Sequence, residues 1–353
     1  MKISDALFFL LLFTACDSDN KSNNSKARIQ IADQSENAYT IAFGSCNNQE
    51  LPQVAWPAIL ANNPDVWIWM GDNIYMDSEN IDATRQAYAK QKSDSAYTLL
   101  RSQTVIVGTW DDHDYGINDG GKNWPHQEEK KLLALDFLDV DTNREIWNRP
   151  GLYDAYHFET KDSIDIQVIL LDTRSFRDDL NKALSLKKTY IPYPDSSGTI
   201  LGEEQWVWLD TKLADTTIDI HLIISSIQII SSEHRFEKWA NFPKERQRLF
   251  DLIAKNNYPS LLLFSGDRHI AEISRIQPKG FPHPLYEVTS SGMTHSYESV
   301  SDEPNQFRIS PLIGSKNFGI LEIQDLPEGI HVKISVKDIS NAPLAEQSLV
   351  IGH

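Results

Sequence analysis

The chain has 353 residues, of which 41% are apolar and 24% charged, enough to bury a sizeable core. Its formal net charge is −17, so it has no basic excess to meet rows of phosphates, which excludes nucleic acid or an anionic membrane surface as a structural partner. A small phosphate-bearing substrate stays open only if cations offset the acidic groups locally.

The opening segment, "MKISDALFFLLLFTAC", has the layout of an export signal over residues 1–15: Lys2, a short apolar core from Ala6 to Phe13, and small residues before Cys16. The apolar run is too short for a bilayer span, which needs ~20 residues. The small-small-Cys ending resembles a bacterial lipobox. That implies a lipidated Cys16 and an exported protein anchored by lipid to a bacterial membrane, on the periplasmic side or the cell surface. Residues 16–37 are polar and read as a flexible tether. Cys46 is then left without a disulfide partner, as a thiol either buried or bound to something.

From residue 38 onward, apolar runs rich in β-branched residues predict strands at 39–44, 65–71, 104–110, 164–172, 218–225, 260–266 and 284–290. Amphipathic stretches predict helices at 51–62, 81–101, 126–138, 203–214 and 244–256. "NFGILEIQ" and "IHVKISVKD" flank the turn signal "LPEG" and predict a closing antiparallel hairpin. Strands alternating with helices predict an α/β architecture, and no linker divides 38–353, so one domain is expected there.

Reactive residues follow one strand end after another: Ser45-Cys46, Asp72, Asp111-Asp112-His113, Asp172-Thr173-Arg174 and Asp267-Arg268-His269. In open α/β sheets ligands bind beyond the carboxyl ends of the strands, so these groups predict one composite site. Asp72 with Tyr75 offers a bridging carboxylate and a phenol that ferric iron would ionise; a turn aspartate beside a core tyrosine would read the same way. Asp267 and His269 are two apart, a spacing that places both side chains on one face of an extended strand. Cys46 suits a transition metal or a buried inert thiol, and Arg174 and Arg177 suit either phosphate oxygens or nearby carboxylates. The run "TWDDHDYGIND" begins like an EF-hand loop, but its twelfth position, counted from Asp112, is Asn123 rather than glutamate.

"GSCN", "GDNIY", "WDDHDYGIND", "LDTRSFRDDL", "LGEEQWVWLD" and "SGDRHIAE" follow in this order. Across roughly 38–300 this set resembles the PhoD-like alkaline phosphatases of the calcineurin-like metallophosphoesterase superfamily. The resemblance implies a single-domain four-layer α/β/β/α sandwich over 38–353, hydrolysis of phosphate esters, and a centre of ferric iron and calcium, with other divalent metals as alternatives. It implies Cys46, Asp72 and Tyr75 as iron ligands, with Asp267 and His269 completing the cluster. Asn118 would meet the second metal and phosphate, Arg174 or Arg177 would hold phosphate oxygens, and His113 would stand where the superfamily has its active-site histidine. Asp112 replaces an asparagine of the wider pattern and is expected at a metal or beside one, with Asp111, Asp114 and Asp119 as orienting partners. His295 follows another strand end near the site. Two departures from the wider superfamily, Ser45-Cys46 for Asp-x-His and "SSIQ" for a middle-motif histidine, favour the PhoD-like version. Two other functions fit the sequence. One is a phosphodiesterase or phospholipase acting on phospholipid or nucleotide diesters. The other is a non-catalytic surface lipoprotein that binds metal, or glycan through Trp67, Trp69, Trp110 and Trp124.

Overall fold

The computed structural model describes residues 38–183, 190–194, 197–256 and 260–352. The signal, Cys16 and the tether lie outside these residues. The first half of the chain supplies β1 (Tyr39–Gly44), α1 (Trp56–Leu60), β2 (Val66–Met70), α2 (Ile81–Lys92), α3 (Ser95–Gln103), β3 (Val105–Thr109), α4 (Asp112–Tyr115), α5 (Gln127–Phe137), β4 (Asp154–Glu159) and β5 (Asp165–Leu170). The second half supplies α6 (Gly202–Leu213), β6 (Ile220–Ile224), α7 (Pro243–Asn256), β7 (Leu261–Ser265), β8 (Ala271–Ile276), β9 (Leu285–Ser290), β10 (Asn317–Leu326), β11 (Gly329–Asp338) and β12 (Pro343–Ile351).

The strands form two six-stranded sheets, in the orders β12-β11-β10-β1-β2-β3 and β4-β5-β6-β7-β9-β8. Alternation along the strands explains the layering. Ile41, Phe43, Ile68 and Met70 of the first sheet share one buried cluster with Val168, Leu222, Phe264 and Val288 of the second. The opposite faces carry Ala42, Trp67 and Trp69, which pack under α1, α3 and α5, and Ile169, Ile223 and Leu263, which pack under α6 and α7. The expected four layers, helix on sheet on sheet on helix, are therefore present in the unit Asn37–His353.

Two helices differ from expectation. The stretch 51–62 is helical only at Trp56–Leu60, with Pro57 tolerated in the first turn. The stretch 81–101 is two helices: the Asp94 carboxylate accepts from the N–H groups of Ala96 and Tyr97, both at 3.0 Å, and starts α3 afresh.

What positions the site is strand direction. β1, β2 and β3 run parallel, as do β5, β6, β7 and β9, so each sheet gathers several carboxyl ends on one side.

Candidate metal centre

The loops beyond those strand ends meet at very short range. Ligand atoms of Cys46, Asp72 and His269 lie within 4.8 Å of one another, as do those of Asp72, Asp112 and His113, and those of Asp111, Asp112 and Asp267. Asp72 and Asp112 each belong to two of these groups, so the three interlock. Glycines allow the approach. A Cβ on Gly71 (φ +96°) would lie 2.5 Å from Cβ of Asp111, and one on Gly266 would lie 2.8 Å from the Met70 carbonyl oxygen. Cys46, Asp72, Asp267 and His269 all hold left-handed backbone, with φ between 50° and 67°. Such conformations cost non-glycine residues on the order of 1 kcal/mol or more each, and persist where the surroundings over-determine them.

The hydrogen bonds are those of a cluster full of lone pairs. The Tyr75 hydroxyl donates to Asp72 Oδ2 at 3.0 Å and lies 3.0 Å from His269 Nε2; Cys46 Sγ lies 3.3 Å from the same Asp72 oxygen. Gln49 fixes Tyr75 by accepting its N–H at 2.8 Å and donating to its carbonyl at 3.0 Å. The carboxylate of Asp114 accepts from the N–H groups of Asn73 and Ile74 at 3.0 Å and of Asp111 at 3.1 Å, tying the loop after β2 to the loop after β3. Asp112 Oδ2 accepts from the Asp119 N–H at 2.6 Å, while its Oδ1 is buried with no hydrogen-bond partner. The His113 ring stacks on Tyr75 with centroids 4.1 Å apart, and its Nδ1 lies 2.7 Å from Asp77 Oδ1. His295 meets the rings of Tyr75 at 4.8 Å and His269 at 4.5 Å.

Charge follows from burial. Burial drives the Asp72 and Asp267 carboxyls well above the usual range, and neighbouring acids add to it. Burial also pushes Asp111 up to about 7, against the pull of Arg174, and Cys46 up to about 11. Burial lowers His269 to about 3 and His295 to about 4, leaving neutral imidazoles with lone pairs to give. For Asp112 burial acts upward, but Arg174, His113 and the Asp119 N–H outweigh it and leave the group at about 2. For His113 burial acts downward, and the carboxylates of Asp72, Asp112 and Asp77 overcome it, holding the ring cationic up to about 11. This donor set fits bound cations. Thiol, phenol, imidazole and a shared carboxylate suit a transition metal, the all-carboxylate group suits a harder ion, and the orphaned Asp112 Oδ1 is a ready ligand atom.

Several expected residues stand elsewhere than expected. Asp267 and His269 do not share a strand face. Both are left-handed, beyond the end of β7, and they join different ligand groups because the backbone there is not extended. Asp111, expected only to orient, is itself in a ligand group. Arg174 and Arg177 are fully buried rather than open to a substrate. Arg174 donates from Nε to Asp111 Oδ1 at 2.6 Å and from an NH group to Glu237 Oε2 at 2.7 Å; Arg177 Nε lies 2.8 Å from Glu237 Oε1. Asn118 is exposed on the turn after α4. Trp67, Trp69 and Trp110 are fully buried among aromatic and aliphatic side chains, which removes them as a glycan platform. Three contributors were missed: Glu237, Asp77 and Ser291, whose Oγ accepts from the His269 N–H at 2.8 Å and lies 3.0 Å from Cys46 Sγ. Ser291 follows the β9 end, so the strand-end pattern could have found it; Glu237 lies in irregular chain with no such signal.

The family model of the PhoD-like phosphatases matches residues 157–316. Over that segment the chain is similar to the PhoD-like phosphatases. Alkaline phosphatase D of Bacillus subtilis (strain 168) is 23% identical over 292 residues, covering 71% of this chain and 48% of that protein. The chain thus spans about half the length of this curated relative. A solved structure of PhoD superposes with a TM-score of 0.66 at 19% identity, covering 89% of this chain and 68% of that one. GAP50, described as the anchor in the inner membrane complex of Plasmodium, superposes with a TM-score of 0.58 at 14% identity over 90% of both chains. At these identities the two structures speak for the fold.

Proposed function

We propose that this chain is a PhoD-like phosphatase, a metal-dependent hydrolase of phosphate esters. The observation that carries the reading is the set of three interlocking ligand groups at the converging strand ends, sharing Asp72 and Asp112. Cys46, Asp72, Tyr75 and His269 would hold ferric iron, and Asp111, Asp112 and Asp267 a harder cation such as calcium. When bound, such cations supply charge for the phosphate oxygens and acidify water.

The side chains do the rest. In hydrolysis a water oxygen bonds to phosphorus, the P–O bond to the alcohol breaks, and the departing alkoxide takes a proton. His113 is cationic and partly exposed, with Nδ1 engaged by Asp77, so the proton it can give is the one on Nε2. Tyr75 holds the ring by stacking. Arg174 and Arg177 act from behind. Bound to Asp111 and Glu237, they hold the carboxylates in place and temper their repulsion instead of clamping phosphate. Export through residues 1–15 and lipid attachment at Cys16 would place this chemistry at a membrane surface outside the cytoplasm.

The test uses full-length protein from the membrane fraction of a bacterial host, loaded with iron and calcium. It should hydrolyse p-nitrophenyl phosphate or its bis-ester, with the rate ratio separating monoesterase from diesterase. Chelation should lower the rate on the order of a hundredfold, reversibly. Inactivity of the loaded protein on both esters defeats the reading. Mass spectrometry of the same preparation should find lipid on an N-terminal Cys16, and an intact Met1 would count against the anchor.

A further inference from the structure

Beside the ligand groups lies a cavity of about 570 Å³ that the mechanism above does not use. Its walls come from the segments 233–236 and 297–304. Tyr297 joins it to the site: its N–H donates to the His269 carbonyl at 2.8 Å, and its ring centroid lies 5.2 Å from the His269 ring. A molecule held through its phosphate at the ligand groups has this cavity available for its alcohol part.

Two features describe that part. His234 lines the cavity, is only 4% exposed, and neither of its ring nitrogens has a hydrogen-bond partner. Buried polar atoms are rarely left so, and a neutral imidazole offers one donor and one acceptor to a ligand. Burial, with Arg268, Lys238 and Arg308 nearby, keeps that ring neutral. The second feature is the balance of wall and rim. Phe236 is covered by Arg268 at 3.9 Å and Arg235 at 4.9 Å, so the ring left for stacking is Tyr297, which is 42% exposed. Glu303 is paired with Arg268 at 2.7 Å, while Asp302 is exposed on the rim and Glu233 adds a further carboxylate. Arg235 is the one cation among the described lining residues, so the lining keeps a small negative excess that disfavours anions.

Resting on the phosphoesterase reading, we propose that this cavity is the leaving-group subsite, which takes an uncharged alcohol bearing a flat ring and disfavours one carrying a further anionic group. Tyr297 would stack on the ring, His234 would bond its polar edge, and Asp302 would set the charge preference.

The test measures kcat/KM of the metal-loaded full chain on methyl phosphate, phenyl phosphate and 4-carboxyphenyl phosphate, in wild type, Tyr297→Ala and Asp302→Lys. Tyr297→Ala should lower the phenyl-to-methyl ratio about fivefold. Asp302→Lys, on the surface where folding is indifferent to it, should raise the 4-carboxyphenyl-to-phenyl ratio about threefold. Unchanged ratios in both variants overturn the subsite and leave the phosphatase reading standing. No turnover of any ester by wild type overturns that reading, and the subsite with it.

Discussion

At the scale of single residues, Tyr75 is the most informative atom-level feature of the cluster. Its hydroxyl touches both Asp72 and His269, so a cation held by those two would meet the phenol as well. Ferric iron bound there should give a visible tyrosinate band. Tyr75→Phe should abolish that band while iron, measured by elemental analysis, stays bound through the other groups; unchanged colour would remove Tyr75 from the ligand set. Cys46, Asp72, Tyr75, His113 and His269 were all legible in the sequence, because each follows a strand end and the fold brings those ends together. The roles of Arg174 and Arg177 were not. An arginine beside aspartates in sequence gives no sign of whether it faces a substrate or a buried glutamate 60-odd residues away, and here it is Glu237.

Among elements, β4, β8 and β12 were not expected, and all three are sheet edges; β3, the remaining edge, was expected because its run of apolar residues is stronger. An edge strand is half solvated and paired on one side only, so its apolar alternation is weak and its neighbour decides its conformation. The half-exposed pattern of "DAYHFE" in β4 shows this. The segment carrying Glu237 is a connecting element of the same kind, and its function is to bridge. It holds Arg174 and Arg177, which in turn hold Asp111 and the Gly120 carbonyl after α4. Glu237→Gln removes one buried charge opposite two guanidinium groups. Loss of one partner of a buried pair costs roughly 3 kcal/mol, to be read as a shift in the denaturation midpoint. A variant as stable as wild type would show that the bridge carries no load.

For the molecule as a whole, the pH dependence of stability can be traced to named groups remote from the cluster. Burial lowers His221 from 6.5 to about 4, so between those values the unfolded chain binds a proton that the folded chain refuses. The stability this histidine lends is therefore complete above about 6.5 and lost as pH falls toward about 4. Glu287 has the opposite sign. Burial raises it to about 7, so its contribution is complete below 4.5 and lost as pH rises through about 7. Denaturant titrations of wild type against His221→Leu isolate the first effect: between pH 7 and pH 4 wild type should lose up to about 3 kcal/mol relative to the variant. A difference independent of pH would show that His221 does not titrate this way.

The sequence by itself determined most of the strands and helices, the α/β plan and the places where chemistry begins. Those depend on local patterns: apolar runs long enough to be buried, breaker residues, and reactive side chains at the points where strands stop. Only the tertiary structure decided how the groups combine. Asp267 and His269 part company because their backbone is left-handed. Asp111 joins a group that could hold a cation because Gly71 lets it close in, and the arginines turn inward because Glu237 waits behind them. Each depends on contacts between segments far apart in the chain. Local propensity cannot encode those contacts, and packing of the two sheets enforces them.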